Sequence, residues 1–335
     1  VAAHDELRGD IIFKAENLED HVLIKADGMP TYQFANVIDD HLMEISHVVR
    51  GDEWLSSFPK NILLYKSFGW TPPKFIHTPL VLNKEGGKLS KRHGDVAVED
   101  YRIKGYLPAA LLNFCSLLGW HPKGEEEMLS VEQIISQFKI EDMGTSPAVF
   151  DLEKLDYMNG YYIRKLPVHE LTEMVLPYLI EGNLVAAQQG QWLNNLTGEK
   201  MSQSHLQRFV GLAQDRLKKL NEIVELTDFL FQPKLKYAGE LLVWKKSTAE
   251  AAKKNLGDIV DVLMRVPEQE WTRYAIEEAL MSHIQNSGLT VGEVLWPMRV
   301  SLTGRDKSPG PFEVAEAIGK EKTIERIKAG VVKLK

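Results

Sequence analysis

Hydrophobic residues recur at both strand and helix spacings before about residue 98 and at helix spacing after it. Before it, residues 11–13 and 21–25 form alternating or β-branched runs, which predict a pair of strands. Residues 34–42 carry apolar side chains at helical spacing, and the run after them predicts a short buried strand that ends at Gly51. The first part of the chain therefore mixes strands and helices.

A second helix is predicted over residues 56–69, with Pro59 in its first turn and Gly69 at its end. The order helix, apolar strand, polar turn, helix is typical of one half of a parallel α/β sheet. Ligands of such sheets bind beyond the carboxyl ends of the strands, which here means near residues 50–54.

After residue 98 the pattern is that of amphipathic helices with short connectors. A capping box of Ser130 and Gln133 marks the start of one of them. The predicted helices fall within residues 107–120, 130–138, 151–163, 169–179, 207–226, 250–266, 272–284 and 311–331. The fold class predicted from the pattern is α/β followed by all-α.

Composition fits a soluble globular protein of two or three domains, since the 335 residues are 44% hydrophobic and 26% charged. The formal net charge of −7 excludes a uniformly basic nucleic-acid binder, so any polyanion must be bound by local patches. The single cysteine, Cys115, excludes an internal disulfide and is expected to be a core residue. With neither a membrane-spanning run nor a signal-peptide pattern, we expect a cytoplasmic protein.

One local basic patch stands out in the stretch KEGGKLSKRHGD, residues 84–95. Glycines permit close backbone approach and lysines supply point charges, so this loop is suited to bind phosphate groups. By itself the pattern is also compatible with a solvated basic loop.

Four longer stretches around this loop resemble the glutamyl-tRNA synthetases of the bacterial type, a subgroup of the class I aminoacyl-tRNA ligases. They are residues 28–54, 68–92, 105–120 and 150–163, in the order and spacing of that family. The match continues more thinly through residues 296–313. The fold that the resemblance implies is the second half of a class I Rossmann-type catalytic domain, followed by helical stem-contact and anticodon-binding domains.

The domain boundaries expected from this resemblance are as follows. Residues 1–32 would end an acceptor-binding insertion, and residues 33–76 would form the second half of the catalytic domain. Residues 77–167 would form the stem-contact domain with the basic loop, and residues 168–335 a helical anticodon-binding region of two subdomains.

The resemblance implies that the basic loop closes over ATP. Lys91 would be the catalytic residue that stabilises the phosphates as pyrophosphate leaves, with Lys88 as a supporting catalytic charge. The further ATP contacts it implies are Ser90 and Arg92 in the loop, Glu53 and Trp54 at the ribose and adenine side, and the backbone groups of Leu80 and Val81. Mg²⁺ is expected with ATP and held largely by its phosphates, so we expect no metal site on the protein.

For the substrate glutamate, the resemblance implies binding by Arg50 with Tyr32 and Asn36. A guanidinium at a strand end can bind a carboxylate bidentately, although an ordinary surface ion pair is the alternative. The triplet at residues 39–41 does not converge on one ion and is interpreted as structural or as a contact to the tRNA acceptor end.

In the helical region the resemblance implies anticodon contacts by Arg216, Arg299, Ser308 and Pro309. An arginine can address a base edge, and a loop of the composition around Ser308 suits unstacked bases. For Arg216, an ordinary charge on a helix surface is the alternative.

The sequence departs from the family in lacking its first signature motif and the early arginine and serine that hold the substrate. We therefore expect a C-terminal part of a longer glutamate–tRNA ligase, monomeric, with tRNA-Glu, glutamate and ATP as partners and with no activation of glutamate by this chain alone. The predicted helices after residue 98 argue against the glutaminyl-tRNA ligases of this subclass, which carry a β-barrel anticodon domain. A noncatalytic tRNA-binding module remains the alternative.

Overall fold

The structure is a computed structural model that describes residues 1–87, 89, 97–188, 191–245 and 247–334. It divides into two units. The first comprises Val1–Arg102 and Tyr106–Met158, and the second comprises Ile103–Gly105 and Asn159–Lys335.

A four-stranded sheet with two helices opens the first unit. Its elements are β1 (Ala2–Asp5), β2 (Gly9–Ile12), α1 (Tyr32–Leu42), β3 (His47–Gly51), α2 (Phe58–Phe68) and β4 (Lys74–Thr78). The strand order is β2-β1-β4-β3, with β4 parallel to both β1 and β3, and β2 antiparallel to β1. Val37, Phe58, Tyr65 and Phe75 form the buried core. Because β1, β3 and β4 run parallel, their carboxyl ends share one edge of the sheet.

The rest of the first unit is mostly helical. It contains β5 (Val81–Leu82), α3 (Val98–Lys104), α4 (Pro108–Ser116), α5 (Val131–Gln137), β6 (Ala148–Val149) and α6 (Leu152–Lys165), and the last residues of α3 and α6 belong to the second unit. Strand β5 pairs in parallel with β6. Tyr101, Phe114, Leu155 and Met158 form a second buried cluster.

Helices make up most of the second unit. Its elements are α7 (Val168–Glu181), β7 (Val185–Gln188), β8 (Gln191–Asn194), β9 (Lys200–Met201), α8 (Gln203–Gln214), α9 (Ile223–Phe231), α10 (Ala249–Met264), α11 (Arg273–Ser287), α12 (Val291–Thr303), α13 (Pro311–Ile318) and α14 (Lys320–Lys333). Helix α10 packs against α11, α12 and α14, and α8 packs against α7, α9 and α13. The three strands form a small antiparallel sheet.

One buried arginine of α14 caps two other helices. Arg326 is 5% exposed, and its Nη1 donates to the carbonyl of Leu302, in the last turn of α12, at 2.6 Å. Its Nη2 donates to the carbonyls of Phe229 and Gln232, at the end of α9, at 2.8 and 2.9 Å. These carbonyls have no partner within their own helices, and the negative ends of the helix dipoles favour a cation. Burial lowers the pKa of Arg326 to about 10, so the guanidinium stays charged at neutral pH.

The predicted α/β segment followed by a helical segment is confirmed. Helices α1 and α2 occupy the predicted positions, α2 ends at Gly69 with φ of 70°, and Ser130 and Gln133 form the predicted capping box. Strand β3 ends at Gly51 as predicted. It is not buried, because it lies at the sheet edge with His47 and Val49 exposed.

Several other predictions about elements were wrong for identifiable reasons. Residues 21–25 form only an isolated bridge between Ile24 and Pro30, since a proline has no N–H to extend a ladder. The helix predicted over residues 311–331 breaks at Gly319, whose φ is +83°. Cys115 is exposed rather than in the core, because α4 turns Asn113 and Phe114 inward.

The pattern also missed elements of the second unit. The helix predicted over residues 207–226 ends at Gln214, and α9 begins only at Ile223. The small sheet β7-β8-β9 and the helix α12 were not predicted. The domain boundaries stay predictions, although β1 and β4 pair across the boundary predicted at residue 32. None of the helices among the described residues combines the length and the hydrophobicity of a membrane-spanning segment.

Candidate functional site

Three polar side chains form a hydrogen-bonded chain across the carboxyl ends of β1, β4 and β3. Arg50 Nε donates to His77 Nε2 at 3.0 Å, and His77 Nδ1 lies 2.7 Å from Asp5 Oδ2. The same carboxylate oxygen accepts the backbone N–H of His77 at 2.9 Å. Asp5 and His77 are fully buried. We call this arrangement the Asp5–His77–Arg50 chain.

The protonation states within the Asp5–His77–Arg50 chain follow from its geometry. Since Nε2 of His77 accepts from Arg50, its proton lies on Nδ1 and is donated to Asp5. Burial lowers the pKa of His77, and the charge of Arg50 lowers it further, while the hydrogen bond with Asp5 raises it. The net shift is downward, so the imidazole is neutral at pH 7. Burial raises the pKa of Asp5, but the hydrogen bonds from His77, Leu7 and Arg8 outweigh it and lower the pKa overall. Asp5 is therefore a carboxylate.

The two terminal nitrogens of the Arg50 guanidinium differ from Nε in their contacts. Its Nη1 and Nη2 are buried and have no hydrogen-bond partner among the described residues. Burial lowers the pKa of Arg50, as expected for a desolvated cation. Its Cζ lies 5.6 Å from the ring centroid of Phe75 and 6.0 Å from that of Trp54. Two parallel donors of this kind match the two oxygens of a carboxylate.

The two other residues predicted to bind glutamate lie on α1, one turn apart. Tyr32 contacts Trp54, with ring centroids 5.0 Å apart, which places it beside Arg50. Asn36 has its Oδ1 buried without a partner among the described residues. Such an orphaned acceptor is the kind of group that a bound ligand satisfies. Burial raises the pKa of Asp40, one turn further along α1, and the charge of Arg50 partly offsets this rise. Asp40 therefore also lies near Arg50.

Some of the residues predicted to contact ATP lie among the residues that the structure describes, and others do not. Glu53 and Trp54 lie on the 3₁₀ helix Asp52–Ser57 that follows β3. The Glu53 carboxylate folds over Gly51 into the space that a Cβ would occupy there, so a side chain at position 51 would displace this carboxylate. Leu80 and Val81 are half-buried at the start of β5. Lys88, Ser90, Lys91 and Arg92 lie outside the described residues.

The start of the basic loop is fixed by a turn around Asn83. Its Oδ1 accepts the backbone N–H groups of Glu85 and Gly87 at 3.0 and 2.8 Å. Lys84 forms ion pairs with Asp151 at 3.0 Å and Glu153 at 3.2 Å. The residues that precede Lys88 are therefore anchored to the start of α6.

In the second unit, a cleft of about 440 Å³ contains two of the four residues predicted to contact the anticodon. Arg216 and Pro309 line it. Burial lowers the pKa of Arg216 and the charge of Arg299 lowers it further, so these two guanidinium groups are neighbours. Arg299 lies on α12 rather than on a loop, and its Nη1 donates to the carbonyl of Ser308 at 3.2 Å.

Ser308 contributes to this site through its backbone. Its side chain is 3% exposed, and its hydroxyl donates to the carbonyl of Pro309 at 3.1 Å. The structure therefore brings the four predicted residues into one neighbourhood while turning the Ser308 hydroxyl away from solvent.

Two basic residues of the cleft were not predicted from the sequence. Arg208 lies on α8 two turns before Arg216, and Leu212, midway between them, also lines the cleft. The spacing of four residues from Arg208 to Leu212 and from Leu212 to Arg216 is typical of one helix face, and it could have identified Arg208. Arg273 pairs with Glu313 at 3.2 Å across the cleft, a contact set by the packing of α11 on α13.

No group of three or more metal-ligating side chains is found within the part of the chain that the structure describes. In the triplet at residues 39–41, His41 stacks on Trp70 at 3.8 Å between ring centroids. That contact gives His41 a packing role.

The stability of the first unit is expected to fall as the pH drops below about 6.5, the ordinary pKa of histidine. His77 has a lowered pKa in the folded state, so below that pH the unfolded chain binds more protons than the folded one. This proton binding stabilises the unfolded state relative to the folded state. Asp5 adds the same effect at lower pH, because its pKa is also lowered. The slope expected from one histidine is at most about 1.4 kcal/mol per pH unit.

Hydrogen exchange of the β4 amides, corrected for the pH dependence of the intrinsic rate, measures this slope. His77→Gln is the control and should flatten the dependence between pH 7 and pH 5. An unchanged slope in that variant would show that other groups cause it.

Comparison with known proteins agrees with these observations. The family model for the catalytic domain of class I tRNA synthetases (E and Q) matches residues 1–157, and a model for an anticodon binding domain matches residues 170–331. A glutamate–tRNA ligase of Clostridium botulinum is 44% identical over 335 residues, covering 99% of this chain and 65% of that protein. One of Moorella thermoacetica is 37% identical, covering 96% of this chain and 64% of that protein.

Solved structures give the same result. A crystal structure of a glutamate–tRNA ligase from Elizabethkingia meningosepticum, in complex with its amino acid, matches with a TM-score of 0.85 and 30% identity. It is covered over 66% of its length and this chain over 100%. The glutamate–tRNA synthetase of Elizabethkingia anophelis matches with a TM-score of 0.82 at the same identity, over 99% of this chain and 66% of that one.

The chain spans about 65% of the length of the curated relatives it matches. Two adjacent family models together match nearly all of it, in the order catalytic domain and anticodon-binding domain. The chain therefore belongs to the glutamate and glutamine group of the class I tRNA synthetases.

Proposed function

We propose that this chain is part of a glutamate–tRNA ligase. The enzyme would activate glutamate with ATP to give glutamyl-adenylate and pyrophosphate, and would then pass the glutamyl group to the 3′-terminal ribose of tRNA-Glu. The observation that carries the proposal is the Arg50 guanidinium, held through Nε while both Nη groups are buried and unpaired within the described residues.

In the proposed reaction Arg50 binds the side-chain carboxylate of glutamate. Two donors on that carboxylate make it a poor nucleophile and fix the substrate, which leaves the α-carboxylate to react. An oxygen of the α-carboxylate bonds to the α-phosphorus of ATP, and the bond from that phosphorus to the bridging oxygen breaks as pyrophosphate leaves. Tyr32 and Asn36 would line the same pocket.

The ATP side of the proposal depends on the loop after Gly87. Lys91, supported by Lys88, would neutralise charge on the leaving pyrophosphate, as cations do in phosphoryl and nucleotidyl transfer. Ser90 and Arg92 would shape the loop, and Glu53, Trp54 and the backbone of Leu80 and Val81 would contact the nucleoside. Mg²⁺ would be bound by the phosphates of ATP, where it would offset their negative charge.

In the second unit the cleft around Arg216 is proposed as an anticodon site. Arg216 and Arg299 supply donors for a base edge, and Pro309 supplies an apolar wall. Ser308 would act by holding Arg299 through its carbonyl. We further propose that the whole protein works as a monomer in the cytoplasm, a compartment with which the single cysteine of this chain is in keeping.

Transfer of labelled glutamate to tRNA-Glu by the whole natural polypeptide, with this chain assayed in parallel, tests the proposal. We expect charging by the whole polypeptide and none by this chain alone, which lacks a counterpart of the family's first signature motif. Failure of the whole polypeptide to charge tRNA-Glu, with tRNA binding retained, would contradict a ligase and favour a tRNA-binding module.

Arg216→Gln is expected to weaken binding of tRNA-Glu to this chain about tenfold, because a good contact between an arginine and a base edge contributes about 1–3 kcal/mol. Fluorescence anisotropy with tRNA-Glu at a fixed salt concentration measures the change. Arg265→Gln, at an exposed arginine outside the cleft, is the matched control. Equal effects of the two substitutions would show that only general charge matters.

A further inference from the structure

Arg50 has a long flexible side chain, yet a selective carboxylate site needs its guanidinium plane fixed. Ordering an arginine side chain costs rotamer entropy. Among the described residues, Nε is the guanidinium nitrogen of Arg50 that has a hydrogen-bond partner, His77. The plane of the guanidinium is thus set at the nitrogen that does not face the ligand.

His77 is a rigid acceptor for this purpose. Its ring is fully buried and packs against Phe58 and Phe75, with centroids 4.8 and 6.4 Å away. Both its backbone N–H and its Nδ1 are tied to Asp5. The position of Nε2 is therefore determined by the sheet and its core.

Asp5 determines which nitrogen of His77 carries the proton. Its Oδ1 is occupied by the backbone N–H groups of Leu7 and Arg8 at 3.0 Å each, which fixes the carboxylate, and Oδ2 faces Nδ1 at 2.7 Å. A proton on Nε2 instead would face the N–H of Arg50 Nε, placing one donor against another.

We propose that His77, with its proton held on Nδ1 by Asp5, is a positioning residue that fixes the guanidinium of Arg50 and thereby makes the site select a carboxylate over a carboxamide. A fixed pair of Nη donors matches two acceptor oxygens, whereas the NH₂ of a carboxamide would face a donor. A mobile guanidinium could turn and bind the amide oxygen through one nitrogen. This inference rests on the proposed function, in which the ligand is glutamate and the excluded analogue is glutamine.

A matched pair of substitutions at His77 separates positioning from support of the fold. The amide nitrogen of His77→Asn can take the place of Nδ1 and donate to Asp5, but the side chain is too short to reach Arg50. The amide oxygen of His77→Gln can take the place of Nε2 and accept from Arg50. A purely structural role predicts similar losses in both variants.

Two readouts on this chain are compared between the variants. One is the solvent-exchange rate of the Arg50 Nε–H, measured by ¹⁵N NMR, and the other is the ratio of glutamate to glutamine affinity by titration. We expect His77→Asn to speed exchange and to lower the affinity ratio about tenfold, as loss of an outer residue that orients a ligating group does. His77→Gln should retain both readouts. Equal changes in both variants, or none in either, would overturn the proposal.

Failure of the inference and failure of the proposed function give different results. If the wild-type chain binds neither amino acid, the exchange rates still decide whether His77 holds Arg50, and the affinity ratio is measured on the whole natural polypeptide. Failure of the whole polypeptide to bind glutamate would contradict the glutamate site itself. If both variants fail to fold, the ¹⁵N chemical shifts of the wild-type His77 imidazole test the proposal, because they show which ring nitrogen carries the proton. A protonated Nδ1 and an unprotonated Nε2 are expected, and the reverse would overturn the proposal.

Discussion

Replacing Arg50 with leucine is expected to lower kcat/KM for glutamate in the whole enzyme by about 10²- to 10⁴-fold. The substitution removes two charge-assisted hydrogen bonds, each contributing about 1.5–3 kcal/mol, and 1.36 kcal/mol corresponds to tenfold. Glutamate-dependent exchange of pyrophosphate into ATP measures the loss. Arg50→Lys should recover little of it, because an ammonium retains the charge but not the paired donors.

The control for this experiment is Arg8→Gln at the same edge of the sheet. Arg8 pairs with Asp52 at 3.1 Å, and both side chains are partly exposed. Such an ion pair contributes about 0–1 kcal/mol, so exchange should change little. Full activity of Arg50→Lys would show that charge alone suffices and that the geometry of the guanidinium is not required.

Replacing Arg326 with methionine is expected to destabilise the second unit by about 3–5 kcal/mol, as breaking a buried, hydrogen-bonded charge contact does. The carbonyls of Leu302, Phe229 and Gln232 would lose their donor at the ends of two helices. Each buried acceptor left without a partner costs about 1–3 kcal/mol. Urea unfolding, followed by hydrogen exchange of α9 and α12, measures the change in the free energy of unfolding.

Lys328→Met is the matched control, since Lys328 is exposed on the same helix. It should leave the unfolding free energy within about 0.5 kcal/mol of the wild type. Arg326→Lys should fall between the two, because one ammonium cannot reach three carbonyls in the same geometry. A stable Arg326→Met variant would show that water replaces the guanidinium.

The position of Arg50 could be predicted from the sequence, while its supporting residues could not. An apolar run that ends at a glycine marks a strand end, and ligands bind at such ends. His77 lies in an apolar run and reads as core, and Asp5 is 72 residues away from it. Neither residue carries a local signal, because their contact arises only when β1 and β4 pair.

The spacing of apolar residues also predicted the elements of the second unit only in part. Helix α12 contains Pro297, which argues against a helix in any local interpretation, yet the surrounding packing tolerates it. The proximity of Arg216 and Arg299 follows from tertiary packing and was implied only through the family resemblance. Gly319, by contrast, could have been read as a break, since a glycine between helical runs commonly adopts positive φ.

The caps that Arg326 provides also bear on how the chain is made. Synthesis places Phe229 97 residues ahead of Arg326, so its carbonyl is made about 5 to 20 s before its donor at 5–20 residues per second. The two core clusters described for the first unit lie within residues 1–158. On the ribosome the first unit can therefore fold while translation continues, and the second cannot close until its last helix has been translated.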